Sequence, residues 1–193
     1  MRSIFTIGLL LLLFSFEGLA QSEYVKNNLF SNIKKLNSVI DLQDVDYDLI
    51  NLIVLHYTNE HRVKKQNKRL IYNKNLGNSA LLHSLEMKKY NFFSHINKRN
   101  RKYRNLEDRA KFVSYQGYLA LAENLYYGFI DLSAISTYKE LGKKITQAFI
   151  DSRSHNLNLL DKDLKEIGQA LVFKNKAENG FIYYYFTQSF GTR

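Results

Sequence analysis

The sequence predicts an α+β fold in which helices pack on an antiparallel sheet that closes with a C-terminal β-hairpin. Two observations carry this. From residue 48 to 153, apolar residues recur at helical spacing. After residue 166 the pattern changes to short runs rich in β-branched and aromatic residues, separated by a turn-like link. Helices in one part of the chain and strands in another point to α+β rather than alternating α/β.

The chain begins Met1-Arg2-Ser3, runs apolar from 4 to 16, and reaches Gly18-Leu19-Ala20. A basic start, a short apolar run and a small-x-Ala exit make a secretory signal. The run is roughly 13 residues, short of the ~20 a bilayer-spanning helix needs. Residues 1–20 are therefore expected to be a signal peptide cleaved near Ala20. The mature chain then has no transmembrane span and is secreted or periplasmic. Residues 21–47 are polar with weak periodicity and read as an N-terminal leader segment.

The domain proper is expected over 48–193. Asp48 reads as a helix N-cap. Leu49, Leu52, Ile53 and Tyr57 form one face of a first helix, which runs into basic residues 62–65. A second helix starts near Asn75, with Leu76, Ala80, His83 and Met87 as its inward stripe. A third spans about 138–153, with Leu141, Ile145, Ala148, Phe149 and Ser152 facing inward. Residues 167–173 and 181–187 read as two strands. Both faces of the second carry large groups, so it should be central, with layers on either side.

Composition narrows the chemistry. The 193 residues are 45% hydrophobic and 14% aromatic, enough for a core. There is no cysteine, which excludes disulfides, thiolate metal sites and a lipidated N-terminal cysteine. There is also no proline, so loops must turn on Gly, Asn, Asp and Ser. The formal net charge of +10 favours anionic neighbours. An exported chain seldom meets nucleic acid, so the basic stretches 62–69 and 98–104 point to anionic envelope material instead. No Gly-rich phosphate loop or dinucleotide fingerprint is present.

Several local patterns fall in a particular order. Asn59-Glu60-His61-Arg62 closes the first helix and His83-Ser84-Leu85-Glu86-Met87 lies in the second. Phe93-Ser94-His95 follows, then Ala122-Glu123-Asn124-Leu125 after a short apolar segment. Ala148-Phe149-Ile150-Asp151-Ser152-Arg153-Ser154-His155-Asn156-Leu157-Asn158-Leu159-Leu160 ends the third helix, and Ile167-Gly168 and Thr187-Gln188-Ser189-Phe190-Gly191 bracket the hairpin. Together these resemble the CAP superfamily of cysteine-rich secretory, antigen 5 and pathogenesis-related 1 proteins, in its bacterial SCP-like extracellular branch. The resemblance covers about residues 48–193 and implies a three-layer α-β-α sandwich. The sequence departs from the family pattern where Arg153 and Ser154 stand for a Pro-Gly pair and Ala122 for a Gly. Ser152 stands where many eukaryotic members place a second carboxylate.

The resemblance implies a cleft built from His95, Glu123 and His155, with Asn124 and Ser152 beside it. His95 and His155 would offer two imidazole nitrogens to a loosely held zinc ion. The alternative is a metal-free His–Glu–His brace. His83, on the inward stripe, reads as a core histidine with a satisfied hydrogen bond. Ser152 and Ser154 flank His155, but sequence neighbours rarely aim at each other, so no nucleophile is assigned. The expected function is a secreted, monomeric binding module for a lipid, a wall-derived fragment or a protein. The competing reading is a zinc-dependent hydrolase with Glu123 as general base.

Overall fold

A computed structural model describes residues 33–193. The expected signal peptide and residues 21–32 lie outside the described residues. A short helix α1 (Ile33–Leu36) leads to α2 (Tyr47–Lys64), β1 (Ile71–Tyr72), α3 (Lys74–Tyr90) and α4 (Leu106–Phe112). Then follow β2 (Ala120–Asp131), α5 (Tyr138–Asp151), α6 (Arg153–Leu160), β3 (Glu166–Phe173) and β4 (Phe181–Thr192).

The fold class is as expected, whereas several helix ends differ from the sequence expectation. Asp46, not Asp48, caps α2, accepting from the Leu49 amide at 2.9 Å. Asn73 caps α3, and Asn91 ends it in the left-handed region with φ 49°. Thr137 and Glu140 form a reciprocal capping box on α5. The third helix does not run to Arg153. It stops at Asp151, breaks at Ser152 and restarts as α6, so His155 lies inside a helix rather than beyond one. Residues 33–46 are docked: Val39 bridges Thr137, and Ile40 is buried.

The four strands order β1-β3-β4-β2. β3 and β4 form the antiparallel hairpin, β2 pairs antiparallel with β4, and the two-residue β1 pairs parallel with β3. β4 is therefore interior. Its side chains alternate between faces. Ile182, Tyr184, Phe186 and Phe190 join a large core with Leu49, Ile50, Ile53 and Val54 of α2 and Leu141, Ile145 and Phe149 of α5. On the other face Tyr185 packs with Leu125 and Met87 of α3. Two helical layers thus enclose the sheet.

The second layer is shorter than the sheet. α3 has 17 residues, about 25 Å, whereas the 12-residue strands reach about 40 Å. Beyond α3, Tyr127 and Phe129 remain exposed and Tyr183 half-buried, so the covering expected on both faces of β4 is incomplete.

Two close approaches fix the layers. Gly168 faces α3 so tightly that a Cβ there would overlap the Gly77 nitrogen. Arg62, 1% exposed, donates to the carbonyls of Lys68, Leu159, Asp161 and Leu164, and so anchors the chain after α6 to α2.

Candidate functional site at the free edge of β2

Glu123 and Asn124 are adjacent on β2, the strand at one edge of the sheet. Successive side chains of a strand point to opposite faces. Glu123 therefore enters the α3/α4 layer and Asn124 the α2/α5/α6 layer. The dipeptide joins the two layers at a single point of the sheet edge.

Three groups hold the Glu123 carboxylate, whose side chain is 4% exposed. Arg109 of α4 donates to Oε2 at 2.5 Å. His95 Nδ1 lies 2.9 Å from Oε1, and His83 Nε2 lies 3.8 Å from the same oxygen. Burial alone would raise the carboxyl pKa. The His95 hydrogen bond and the Arg109 and His83 charges outweigh it and hold the pKa below its ordinary value. A carboxylate that stays ionised can only accept, so His95 Nδ1 carries the hydrogen, and in the neutral ring Nε2 is then the lone-pair nitrogen. The His95 side chain is 55% exposed.

His83 is fully buried, as its place on the α3 stripe suggests. Nε2–H donates to the Ser94 carbonyl at 3.0 Å and so fixes the loop that carries His95. Its Nδ1 has no hydrogen-bond partner among the described residues. Burial, which outweighs the pull of Glu123, lowers the His83 pKa to about 4.

On the opposite face, Asn124 is fully buried and donates to the His155 carbonyl at 3.2 Å and to Gln188 Oε1 at 3.3 Å. Asn158 of α6 donates both to Asn124 Oδ1 at 2.8 Å and to the Glu123 carbonyl at 3.3 Å. These bonds seat α6 on the open edge of β2. Earlier on the same helix, Asn156 Oδ1 lies 2.9 Å from His61 Nε2. The His155 ring meets Phe149 edge-on at a centroid distance of 5.2 Å. Its pKa is lowered, first by burial and then by the charge of His95.

The structure therefore joins His95 directly to Glu123 and brings His155 to the same edge from the other layer. Asn124 secures the α6 backbone rather than lining an opening. Ser152 sits at the α5–α6 break, where its hydroxyl pairs with Ser154 at 3.4 Å and not with His95 or Glu123. Among the described residues no group of three His, Cys, Asp or Glu side chains is arranged to hold a metal ion, so a cation here would have two protein ligands at most. Arg109 and Asn158 are neighbours of these residues to which the sequence reading gave no role, although Asn158 lies within the motif after His155. Arg109 lies in a helix of seven residues whose pattern is too short to read. Asn158 stands within the run after His155, and its spacing three residues on is the one signal that could have found it.

The model of the cysteine-rich secretory protein family (CAP) matches residues 55–190. The uncharacterized membrane protein YlbC of Bacillus subtilis (strain 168) is 28% identical over 126 residues, which are 65% of this chain and 32% of that protein. The chain thus spans about a third of the curated relative's length. An extracellular protein containing a SCP domain from Bacillus anthracis str. Ames superposes with a TM-score of 0.55 at 21% identity, over 76% of this chain and 41% of that one. An outer surface protein from Borrelia burgdorferi gives 0.54 at 19% identity, over 73% of this chain and 90% of its own. At these identities the structural likeness is one of fold.

Proposed function

The chain belongs to the cysteine-rich secretory protein (CAP) family, and from that premise we propose that it is an exported binding module whose working surface is the His95/His155 edge of β2. The observation that supports this best is the state of Glu123. Both of its oxygens are engaged, by Arg109 and by His95. A carboxylate that is buried, paired and depressed in pKa is a poor proton acceptor. Glu123 acts instead as a positioning residue, holding the His95 tautomer with Nε2 outward, as carboxylates do behind metal-bound histidines. The hydrolase reading would need this group free and facing water.

The donor chemistry, two imidazoles and no third protein ligand, supports a weakly held divalent cation at this edge. His95 would offer Nε2, and His155, whose lowered pKa keeps it neutral at pH 7, would offer its ring from the facing side. A bound zinc ion would supply a Lewis-acidic point to which an anionic ligand group could attach. With two protein ligands the affinity is modest and falls with acidity.

Two further supports concern location. The sequence starts with a secretory-type segment, and the structural neighbours are described as extracellular or outer-surface proteins. Among the described residues no helix is long and apolar enough to cross a membrane.

The test is zinc titration of the untagged chain at neutral pH, with metal content measured by mass spectrometry. One equivalent should bind, and both His95→Ala and His155→Ala should abolish it while leaving the fold intact by circular dichroism. Binding that survives either substitution would dismiss this edge as the metal seat.

A further inference from the structure

Asn124 does not stand alone on its face of the sheet. Gln188 of β4 is its register partner, and Gln169 of β3 is the register partner of Gln188. Partners in register share a face, so three side-chain amides form a row across three strands. The row crosses the large core: Phe186 and Phe190 flank Gln188, and Ile167 and Leu171 flank Gln169. Asn124 and Gln188 are fully buried and Gln169 is 2% exposed. Amides in such surroundings cost stability unless they are bonded.

The row is bonded throughout and runs in one direction. Asn158 Nδ2 donates to Asn124 Oδ1 at 2.8 Å, Asn124 Nδ2 to Gln188 Oε1 at 3.3 Å, and Gln188 Nε2 to Gln169 Oε1 at 3.1 Å. Gln169 Nε2 ends the row on the Asn51 carbonyl of α2. A backbone carbonyl can only accept, so Gln169 must turn its NH2 to α2 and its oxygen to Gln188. Gln188 must then turn its NH2 to Gln169 and its oxygen to Asn124. That leaves the Asn124 NH2 directed at Gln188 and at the His155 carbonyl, 3.2 Å away. Turning over any one amide would set oxygen against oxygen or NH2 against NH2. Gln188 also donates to Thr58 Oγ1 of α2 at 3.4 Å. Two of the bonds that seat α6 pass through the Asn124 amide, and that amide is oriented from α2 through two glutamines of the core.

We propose that Gln188 and Gln169 are positioning residues for His155, setting through Asn124 where α6 carries its ring at the edge of β2. The functional consequence rests on the reading of that edge as a metal seat, whereas the positioning is measurable without metal.

The test is the NMR signal of the His155 ring, which meets Phe149 edge-on at 5.2 Å and so reports small movements of α6 through the ring current. Gln188→Met and Gln169→Met keep the side-chain length and remove the amide. Both should displace the His155 ring signals at fixed pH, Gln188→Met further, with the fold retained by circular dichroism. Thr58→Val removes only the side bond to Gln188 and supplies a milder variant, with a smaller displacement, if either methionine variant fails to fold. Ser84→Ala is the control. Ser84 bonds Thr187 and the Ala170 carbonyl on the opposite face, so its loss should lower stability and leave the His155 signals in place. Zinc affinity should fall about tenfold in Gln188→Met, by less in Gln169→Met, and not at all in Ser84→Ala. His155 signals that keep their parent positions in both methionine variants overturn the proposal, as does an equal displacement in Ser84→Ala. Displaced signals with unchanged zinc affinity would overturn the link to the metal seat. A parent chain that takes up no zinc would dismiss the metal reading of the edge, and the ring signals would still decide the positioning.

Discussion

Arg109 and Glu123 form an ion pair withdrawn from water: the arginine side chain is 0% exposed, the glutamate side chain 4%, and they meet at 2.5 Å. The pair ties α4 to β2 beneath the histidine edge. Removing one partner of a buried pair strands the other charge and costs about 3–5 kcal/mol. Arg109→Met and Glu123→Gln are each expected to lose that much in urea denaturation. The double variant should recover part of it, because no unpaired charge remains. Single costs under about 1 kcal/mol would mean the pair is not sealed as described.

Stability should fall in mild acid. The His83 pKa is lowered to about 4 in the folded chain, so between its ordinary value of 6.5 and about 4 the unfolded chain binds the extra proton. Stability is therefore fully present above about pH 6.5, declines as pH falls through that window, and levels off below it. The whole effect is at most about 3 kcal/mol. Glu123 adds a second loss at lower pH, where its depressed carboxyl finally protonates. Urea midpoints measured from pH 8 to 3 should show the first decline flattened in His83→Gln and the second in Glu123→Gln.

Asn158 makes two of the side-chain bonds that seat α6 on β2, beside the one from Asn124 to the His155 carbonyl. Asn158→Ala should cost about 1–3 kcal/mol, since the buried Asn124 Oδ1 loses its donor. It should also lower zinc affinity with both histidines intact, because His155 rides on α6. A stability loss with unchanged affinity would separate the α6 seat from the site.

Gly168→Ala should cost several kcal/mol, because the added Cβ meets backbone of α3 at Leu76 and Gly77 rather than a flexible side chain. Thermal unfolding is the readout. A midpoint within a degree of the parent would show that α3 can lift from β3 freely.

The helical stripes, the hairpin and the burial of His83 were legible because each depends on near neighbours in sequence. Leu49 to Tyr57 repeat at a helical period, and the strand at 181–187 announces itself by its residue types. β2 was not legible. Its polar Glu123-Asn124 step interrupts the apolar run, and both side chains are tolerated inside only because Arg109, His95, His155 and Asn158 arrive from elsewhere to bond them. The break at Ser152 was hidden for a similar reason, since no proline or glycine marks it and the docking of α6 on β2 decides it.

Local periodicity and composition thus determined by themselves the fold class, the cysteine-free chemistry and the cationic character of this chain. Only the tertiary structure decided that the Glu123 carboxylate is a clamped support and that His95 and His155 approach the same edge from opposite layers. The physical reason is that a carboxylate's role depends on which charges and donors surround it. Arg109 lies 14 residues from Glu123 along the chain, and Asn158 lies 35 away; spacing of that kind acquires meaning only once the sheet edge brings the groups together.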